Sequence, residues 1–249
     1  MVDTNTYFDV VIEKIVNETS ANKTFILTKP ANFNNLPGQF CWLTLPEFRA
    51  QSPDFPRTPM AVGSGVEEDK LIFSFRHWGF LTGKFFELKI GDTLSVSQPL
   101  GSPVPIDLFE STSSLLIAGG TGVVPIRSLI QTLNSHGNYK VLYGAKSPSE
   151  LLFKDELATW NSEIIVEQAD NGSDWKGPKG FVTKLLNKSL IEIYKYCYIC
   201  GPFPMMQNTV AVLKKIGYSA DHIYVSLEKI ENNEVIGPVF PVSDPNVAF

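Results

Sequence analysis

Two cysteines three positions apart, Cys197 and Cys200, are the residues of this chain whose spacing first suggests chemistry. A Cys-x-x-Cys pair can form a redox disulfide or supply half of a metal site. The surrounding letters, KYCYIC, predict a β-strand, however, and side chains three apart in a strand point to opposite faces. We therefore expect neither a disulfide nor a shared metal. Only one further cysteine, Cys41, is present, and the three histidines are far apart, so no metal site is predicted.

A glycine-rich turn, Gly119-Gly120-Thr121-Gly122, follows the apolar segment SSLLIA and precedes a helical pattern. Such a turn lets backbone N–H groups at a helix start approach an anion. It departs from the usual dinucleotide fingerprint, because Pro125 replaces the last glycine and Lys146, not an acid, follows the second strand. By itself the turn fits either a dinucleotide site or an ordinary strand-to-helix connection.

Two more loops are predicted at the same edge of a sheet. Cys200-Gly201-Pro202-x-x-Met205 would offer a tightly shaped surface to a flat ring, or would simply start a helix with prolines. The loop ADNGS at 169–173, with Asp170, follows another predicted strand. Carboxyl ends of parallel strands meet at one edge, so the three loops predict a common ligand site.

The two halves of the chain differ in pattern. Residues 7–106 contain about six short strands rich in Val, Ile, Phe and Thr, which predict a small antiparallel barrel with one helix from Thr82, as N-cap, to Leu88. From about residue 112, strands alternate with helices, which predicts a parallel sheet. The expected fold is an N-terminal antiparallel β-barrel domain (1–109), a C-terminal α/β domain (110–226) and an extended tail (227–249).

Four strands and four helices are expected in the second half. The strands are SSLLIA, KVLYGA, EIIVEQA and KYCYIC, and the helices are VVPIRSLIQTLNS, SELLFKDELATWN, GFVTKLLNKSLI and MMQNTVAVLKKIG. In the first helix, apolar residues recur at helical spacing, which predicts one buried face.

Charge and hydropathy exclude several classes of partner. The net charge is −5 and no Lys/Arg run occurs, which argues against a nucleic-acid partner. No apolar run approaches the roughly 18 residues of a membrane helix, and the first residues carry no signal pattern. We expect a cytoplasmic protein with no membrane association.

The motif GGTGVVPI, followed later by CGPFPMM, resembles the nicotinamide-binding half of the ferredoxin–NADP reductase superfamily. The barrel half contains four similar stretches: Gly38-Gln39-Phe40, RTPMAV at 57–62, GFLT at 79–82 and QPLG at 98–101. DNGSDWKGPKGFVT and VSLE are similar to one branch, the PyrK-like electron-transfer subunits of dihydroorotate dehydrogenase and related hydrogenase and sulfite reductase subunits. The resemblance covers roughly residues 8–228.

The resemblance implies FAD in a flavin-binding barrel groove and NAD(P)H on a nicotinamide-binding α/β domain. The implied FAD-binding residues are Arg57, Thr58, Pro59, Met60, Ala61, Phe75, Arg76, His77, Gly79, Leu81 and Thr82. The implied NAD-binding residues are Gly119, Gly120, Thr121, Gly122, Val123, Asp170, Cys200, Gly201, Pro202 and Met205. Hydride would pass directly between the cofactors, so the protein would supply alignment and exclude water. Cys200 would position the nicotinamide, and no other catalytic residue is expected.

The flavin-binding strand departs from the family's pattern. Aligned on Pro59, Thr58 stands where the family has arginine and Ala61 where it has serine; the nearest arginine is Arg57. A hydroxyl for the flavin ring is therefore missing, which puts flavin binding in question. The alternative is that Arg57 is a surface residue and the strand only packs.

The tail also departs from the pattern. The branch carries four cysteines after its SLE motif that hold a [2Fe–2S] cluster, but no cysteine follows Cys200 here. Thiolates are the ligands of such clusters, so no cluster is expected. The tail is apolar and rich in proline, with Val239, Val242 and Phe249, and we expect it to dock on its own domain or on a partner.

Three functions remain open from the sequence. The first is an electron-transfer subunit that passes electrons from NADH through FAD to a partner such as the dihydroorotate dehydrogenase catalytic subunit. The second is a stand-alone flavin or ferredoxin reductase with a soluble electron carrier. The third is a scaffold without redox activity. Lys146 and Ser147 could meet the 2′-phosphate of NADPH, whereas the branch favours NADH.

Overall fold

The computed structural model describes residues 6–52, 54–133, 138–227, 229–231, 234–236 and 239–244. Six antiparallel strands form the first sheet, in the order β4-β3-β6-β1-β2-β5. They are β1 (Tyr7–Asn17), β2 (Asn22–Thr28), β3 (Phe40–Thr44), β4 (Thr58–Ala61), β5 (Lys70–Arg76) and β6 (Thr93–Ser97). The predicted antiparallel barrel is therefore confirmed, with apolar side chains such as Phe25, Phe73 and Phe85 filling its interior.

The barrel closes at one end of its two edge strands and opens at the other. Beyond β4, the N–H of Gly63 donates to the carbonyl of Ile72 in β5 at 2.8 Å. β4 and β5 are the two edges of the sheet. A groove therefore lies between Thr58 of β4 and Arg76 at the far end of β5.

Two helices belong to the barrel half, α1 (Pro46–Gln51) and α2 (Gly79–Glu87). The prediction that α2 starts with Thr82 as its N-cap was wrong, because the helix begins one turn earlier. Thr82 is buried, and its hydroxyl bonds the backbone N–H and carbonyl of Trp78. Sequence patterns did not predict α1.

The second half forms a six-stranded sheet in the order β14-β11-β10-β7-β8-β9, parallel except for β14. Its strands are β7 (Ser114–Gly119), β8 (Tyr139–Ala145), β9 (Ser162–Val166), β10 (Tyr196–Cys200), β11 (Ile223–Ser226) and β14 (Val239–Pro241). Its helices are α3 (Ile106–Glu110), α4 (Val123–Leu133), α5 (Lys154–Leu157), α6 (Ser189–Ile193) and α7 (Phe203–Ile216). The predicted α/β arrangement is confirmed.

The two faces of this sheet pack against different helices. Residues of α4 share one core with Tyr143 and Tyr198, and residues of α7 share the other with Ile117 and Ile199. Cys197 belongs to the α7 side, whereas Cys200 packs against the α4 side. The expected opposite orientation of the two thiols is confirmed, and none of the three cysteines in the described segments forms a disulfide.

The helix predicted for residues 149–161 was wrong. Only α5 forms there, after a short turn at 148–150, because Phe153 has a left-handed backbone (φ 54°) that stops a helix from passing through it. The N–H of Phe153 donates instead to the carboxylate of Glu18, in the turn between β1 and β2, at 2.9 Å. A contact with the barrel thus determines this local structure.

The helix predicted for residues 180–191 was also wrong as a continuous element. A 3₁₀ turn at 182–185 and the short α6 replace it. The extended Leu186 separates the two, and the side chain of Asn187 accepts a hydrogen bond from the N–H of Ser189. Asparagine commonly offers the backbone this alternative to a helix.

The tail docks on its own chain. β12 (Lys229–Glu231) and β13 (Glu234–Ile236) form a two-stranded antiparallel sheet, and β14 then pairs with β11. Val239 is buried between the barrel and the sheet, against Gly38 and Val104, and Val242 is buried in the α7-side core. Phe249, which was expected to dock with the tail, lies outside the described residues.

A buried arginine joins the two halves. Arg127 of α4 donates to the carbonyl of Gly63, to both carboxylate oxygens of Glu68, and to Glu156, at 2.7–2.9 Å. Its side chain is 6% exposed. Next to it, the hydroxyl of Ser128 donates to the carbonyl of Ser64. The loop 63–68 of the barrel and α4 are therefore held in one arrangement.

We predict that Arg127→Ala lowers the free energy of unfolding by about 3 kcal/mol, because it removes the shared donor of two carboxylates and a buried carbonyl. Urea unfolding followed by tryptophan fluorescence measures the loss. The control is Arg49→Ala, which removes a half-exposed pair with Asp9 and should cost about 1 kcal/mol or less. Equal losses in the two variants would contradict the role of Arg127.

Candidate functional site

The glycine-rich turn and the turn after β10 pack directly on each other. A β-carbon on Gly122 would overlap the carbonyl of Cys200, and one on Gly201 would lie 2.6 Å from the Met205 methyl group. A β-carbon on Gly119 would lie 2.6 Å from the Met205 sulfur. Gly122 is therefore required for backbone packing, apart from any ligand, whereas Gly119 and Gly201 first meet the movable end of the Met205 side chain.

Gly120 differs from its neighbours. It has a left-handed backbone (φ 53°), and no atom lies within 4 Å of where its β-carbon would be. A short 3₁₀ turn, Gly120–Gly122, leads from it into α4. The backbone at the start of α4 is thus bare, which suits the close approach of an anionic group.

A cavity of about 850 Å³ lies at this edge of the sheet. Five predicted NAD-binding residues line it: Gly119, Gly120, Thr121, Pro202 and Met205. The lining continues along one face of α7, where Asn208 and Lys215 are two turns apart, and past Phe181, whose side chain is 65% exposed. The lining includes residues at or just beyond the carboxyl ends of β7, β8, β9 and β10, where ligands of open α/β sheets bind.

Barrel residues complete the cavity wall. Asn22, the first residue of β2, and Arg76, the last of β5, line it and are paired across the two strands. Arg76 was predicted as an FAD residue, and its guanidinium also lies 4.0 Å from the carboxylate of Glu150 in the α/β half. The cavity therefore has walls from both halves of the chain.

Sequence reasoning missed several lining residues. Asn22, Glu150, Leu152 and Glu167 line the cavity but carry no motif. Glu167 directly follows β9, so its position after a parallel strand was a usable signal. Asn22 had no signal, because its place beside the glycine-rich turn depends on how the barrel packs on the sheet.

The remaining predicted NAD residues lie behind the cavity wall or beside it. Gly122, Val123, Cys200 and Gly201 form the packed junction of the two turns and are not among the lining residues. Asp170 accepts hydrogen bonds from the N–H and hydroxyl of Ser149, at 2.9 Å each. These bonds hold the loop after β9 to the segment that carries Glu150.

Some of the residues predicted to contact FAD lie along the groove or are exposed next to it. Thr58, Pro59, Met60 and Ala61 form β4, and all four are half-buried along the groove. His77 and Gly79 are exposed, and so are their neighbours Trp78 (81% exposed) and Phe80 (64% exposed), which are not among the predicted residues; the stretch runs from the end of β5 into α2. Large exposed aromatic rings in this number at a groove are typical of a ligand or partner site.

The other predicted FAD residues point away from the groove or are already engaged. Phe75 and Leu81 are buried in the barrel core, and the hydroxyl of Thr82 is used by Trp78. Arg57 is exposed, with its guanidinium 4.7 Å from the centre of the Trp42 ring. The family's arginine aligns with Thr58, and Arg57 is one position earlier. Neighbouring residues of an extended chain face opposite sides, so Arg57 does not take the place of that arginine.

The groove lacks two side chains of the family's usual hydrogen-bonding set, because Thr58 and Ala61 stand at the aligned positions of the arginine and the serine. β4 is an edge strand, so its free backbone groups face the groove. Gly79 has a positive φ (74°) and open space where a β-carbon would be, which leaves the start of α2 bare for a phosphate. The backbone groups of β4 and the bare start of α2 are therefore the groups that this part of the chain offers to a ligand.

Comparison with known proteins agrees with this architecture. Residues 116–211 match the family model described as "Oxidoreductase NAD-binding domain". The chain is 31% identical over 222 residues to a probable dihydroorotate dehydrogenase B (NAD(+)) electron transfer subunit of Methanocaldococcus jannaschii, covering 88% of this chain and 76% of the relative. It is 28% identical over 247 residues to the sulfhydrogenase 2 gamma subunit of Pyrococcus furiosus, with 89% and 83% covered.

Solved structures show the same fold. A ferredoxin NADP+ reductase from Neisseria gonorrhoeae with bound FAD and NADP superposes with a TM-score of 0.75 at 20% identity, covering 92% of this chain and 99% of that chain. The chain belongs to the ferredoxin–NADP reductase superfamily, with the dihydroorotate dehydrogenase electron-transfer subunits among its relatives.

Membership defines the class of enzyme as NAD(P)H-dependent flavoprotein oxidoreductases, and it implies FAD and NAD(P)H as cofactors. Within the described residues, no helix has both the length and the apolar character to cross a bilayer. Over the same residues, no group of three or more His, Cys, Asp or Glu side chains is arranged to hold a metal ion.

We predict that Gly122→Ala destabilises the protein by about 1–3 kcal/mol and abolishes nucleotide binding, because the methyl group forces the two turns apart. Thermal unfolding and calorimetric titration with NAD+ measure the two effects. Gly172→Ala is the control, since Gly172 has a positive φ (76°) but open space around it. Backbone strain alone should lower the free energy of unfolding of Gly172→Ala by about 1 kcal/mol, and its NAD+ binding should be unchanged. Unaltered NAD+ binding in Gly122→Ala would contradict the prediction.

We also predict that iodoacetamide alkylates Cys200 alone in the native protein. Cys41 and Cys197 are fully buried, and burial raises the pKa of both thiols, so the reactive thiolate is scarce and out of reach. Bound NAD+ should slow the labelling of Cys200, which adjoins the cavity. Peptide mass spectrometry measures the rates, with Cys200→Ser as the unlabelled control. Equal labelling of Cys197 would be inconsistent with the structure.

Proposed function

We propose that the protein transfers hydride from NADH, bound in the cavity, to FAD held in the barrel groove, and passes electrons on to a partner protein. The observation that supports this most strongly is the cavity wall itself. Gly119–Thr121 and Met205 come from the α/β half, and Asn22 and Arg76 come from the barrel. A nucleotide in this cavity would therefore touch the half that holds the flavin.

We propose that the α/β half binds the nucleotide chiefly through its backbone. The bare turn at Gly120 would receive the pyrophosphate at the start of α4. Pro202 and Met205 form a rigid apolar surface on which a flat ring can lie, and Cys200 supports that surface from behind. Displacing water from this surface strengthens every polar contact made to the ring.

In the groove, β4 would bind the flavin ring through free backbone groups, and the bare start of α2 would bind the pyrophosphate near Gly79. FAD, when bound, supplies the chemistry of accepting hydride and releasing electrons. The protein's own contribution is then to hold the two rings in contact, because alignment of reacting groups lowers the barrier without an acid–base residue.

We propose NADH as the preferred nucleotide. Glu150 and Glu167 both line the cavity, and a carboxylate favours ribose hydroxyls over a 2′-phosphate. Lys146 lines the same cavity and is the group that would favour NADPH. The hydroxyl of Ser147, the second residue considered for binding a 2′-phosphate, is already hydrogen-bonded to Ser149. Lys146 then remains as the residue that favours NADPH, against two carboxylates that favour NADH.

We propose that electrons leave the FAD for a catalytic partner subunit, with no iron–sulfur cluster held by residues 227–249. Those residues include no cysteine, and thiolates are the ligands such clusters use. The relatives named as electron-transfer and gamma subunits support a heteromer, and a dihydroorotate dehydrogenase catalytic subunit is the first candidate. The missing cysteines favour a second candidate, a reductase that passes electrons directly to a soluble carrier.

The test is anaerobic titration of the FAD-loaded protein with NADH and NADPH, followed by visible absorbance. NADH should bleach the flavin stoichiometrically and faster than NADPH. Gly120→Val should retain FAD but lose bleaching, because its side chain fills the bare turn and is strained at positive φ. Gly91→Val is the matched control, with a positive φ (95°) and open space on a distant turn.

A colourless protein that does not bind added FAD would refute the proposal. It would favour the third function considered from the sequence, a scaffold without redox activity. If Gly91→Val lost bleaching as fully as Gly120→Val, the assignment of the nucleotide to this turn would fail. Co-purification of the native complex then separates the two acceptors, since a partner subunit remains bound and a soluble carrier does not.

A further inference from the structure

One buried polar atom in the cavity wall has no partner. Asn22 is 2% exposed, and its side-chain amide nitrogen donates to the hydroxyl of Thr19 at 2.8 Å. In this arrangement the amide nitrogen faces Thr19. Its carbonyl oxygen, Oδ1, then receives no hydrogen bond from any described residue. Native proteins seldom leave such an atom unpaired unless a ligand or water completes it.

The position of Asn22 limits what that ligand is. Asn22 pairs with Arg76, and β5, which ends at Arg76, contacts the turn Gly120–Gly122. Asn22 therefore lies on the barrel side of the cavity, close to the glycine-rich turn. Phe181 and Lys215, which also line the cavity, belong to the α/β half. A dinucleotide lying along the cavity would place only one of its two bases next to Asn22.

The turn that carries Asn22 is held rigidly. The N–H groups of Glu18 and Thr19 both donate to the backbone carbonyl of Asn22, at 3.0 and 3.2 Å. The carboxylate of Glu18 accepts from the hydroxyl of Thr24 and from the N–H of Phe153 in the other half. Asn22 is thus fixed relative to both walls of the cavity, as a residue that orients a ligand must be.

We propose that Asn22 is a positioning residue that accepts a hydrogen bond from the carboxamide N–H of the nicotinamide ring. The inference rests on the proposed function, which requires the nicotinamide on the barrel side of the cavity. The carboxamide is the N–H donor of that ring, and Oδ1 is an acceptor without a donor. A bond between them fixes the rotation of the ring in its own plane and makes Asn22 a determinant of nucleotide specificity.

The experiment compares NAD+ with 3-acetylpyridine adenine dinucleotide, in which a methyl ketone replaces the carboxamide and removes its N–H donor. Calorimetric titration of the FAD-loaded wild-type protein should show binding about tenfold weaker for the analogue, the effect of one hydrogen bond. Asn22→Leu should bind NAD+ about tenfold more weakly and no longer distinguish the two ligands. Asn22→Asp keeps an acceptor and should keep the preference.

Asn35→Leu is the matched control. Asn35 is also buried, donates through its amide nitrogen to the carbonyl of Ser64, and has an unpartnered Oδ1, but it does not line the cavity. The Asn35→Leu variant should be less stable than the wild-type protein but should still prefer NAD+ over the acetylpyridine analogue. If Asn22→Leu fails to fold, Asn22→Ala takes its place with the same expected loss of preference, because it too removes the acceptor.

Equal binding of the two ligands by the wild-type protein would overturn the inference, and so would an undiminished preference in Asn22→Leu. Anaerobic bleaching by NADH separates this failure from a wider one. If the wild-type flavin bleaches normally but the protein does not prefer the ligand with the carboxamide, only the role of Asn22 is refuted. If NADH does not bleach the flavin of the wild-type protein, the proposed function is refuted as well.

Discussion

The contact between Gly122 and the carbonyl of Cys200 is the constraint on which the site depends. No side chain fits between the two backbones, so the start of α4 and the end of β10 are held at a separation that only glycine permits. That separation sets where Met205 meets Gly119 and therefore the shape of the cavity floor. Gly122, one of the glycines that resemble a ligand motif, is thus needed first for packing, and the backbone at Gly120 is left bare beside it.

The second requirement is that the barrel and the sheet keep one arrangement, since the cavity has a wall from each. Arg127 meets this requirement on one side by bonding both a barrel carbonyl and carboxylates of the two halves. Glu18 meets it on the other side through the N–H of Phe153. Val239 adds an apolar contact with Gly38. Redox chemistry between two bound rings needs such alignment, because rates fall steeply when reacting groups are displaced by about an ångström.

Much of the fold could be predicted because its signals are local. The strands β7, β8 and β10 are compact apolar runs, and α4 and α7 carry helical periodicity. The failures arose from one distant contact and from local side-chain hydrogen bonds. Residues 149–161 have a good helical pattern, yet Glu18 binds Phe153 in a conformation that no helix allows. Thr82 looked like a cap because it is a threonine before an apolar run, but its hydroxyl is used one turn into α2.

The sequence by itself determined the class of the protein: a strand-rich half, a half of alternating strands and helices, and two glycine-containing turns at the ends of parallel strands. Those features depend on neighbours within a few residues, which a sequence records directly. The tertiary structure alone decided that Asn22 and Arg76 face the same cavity as Met205. They are far apart along the chain, and their proximity results from packing between the barrel and the sheet, which no local pattern encodes.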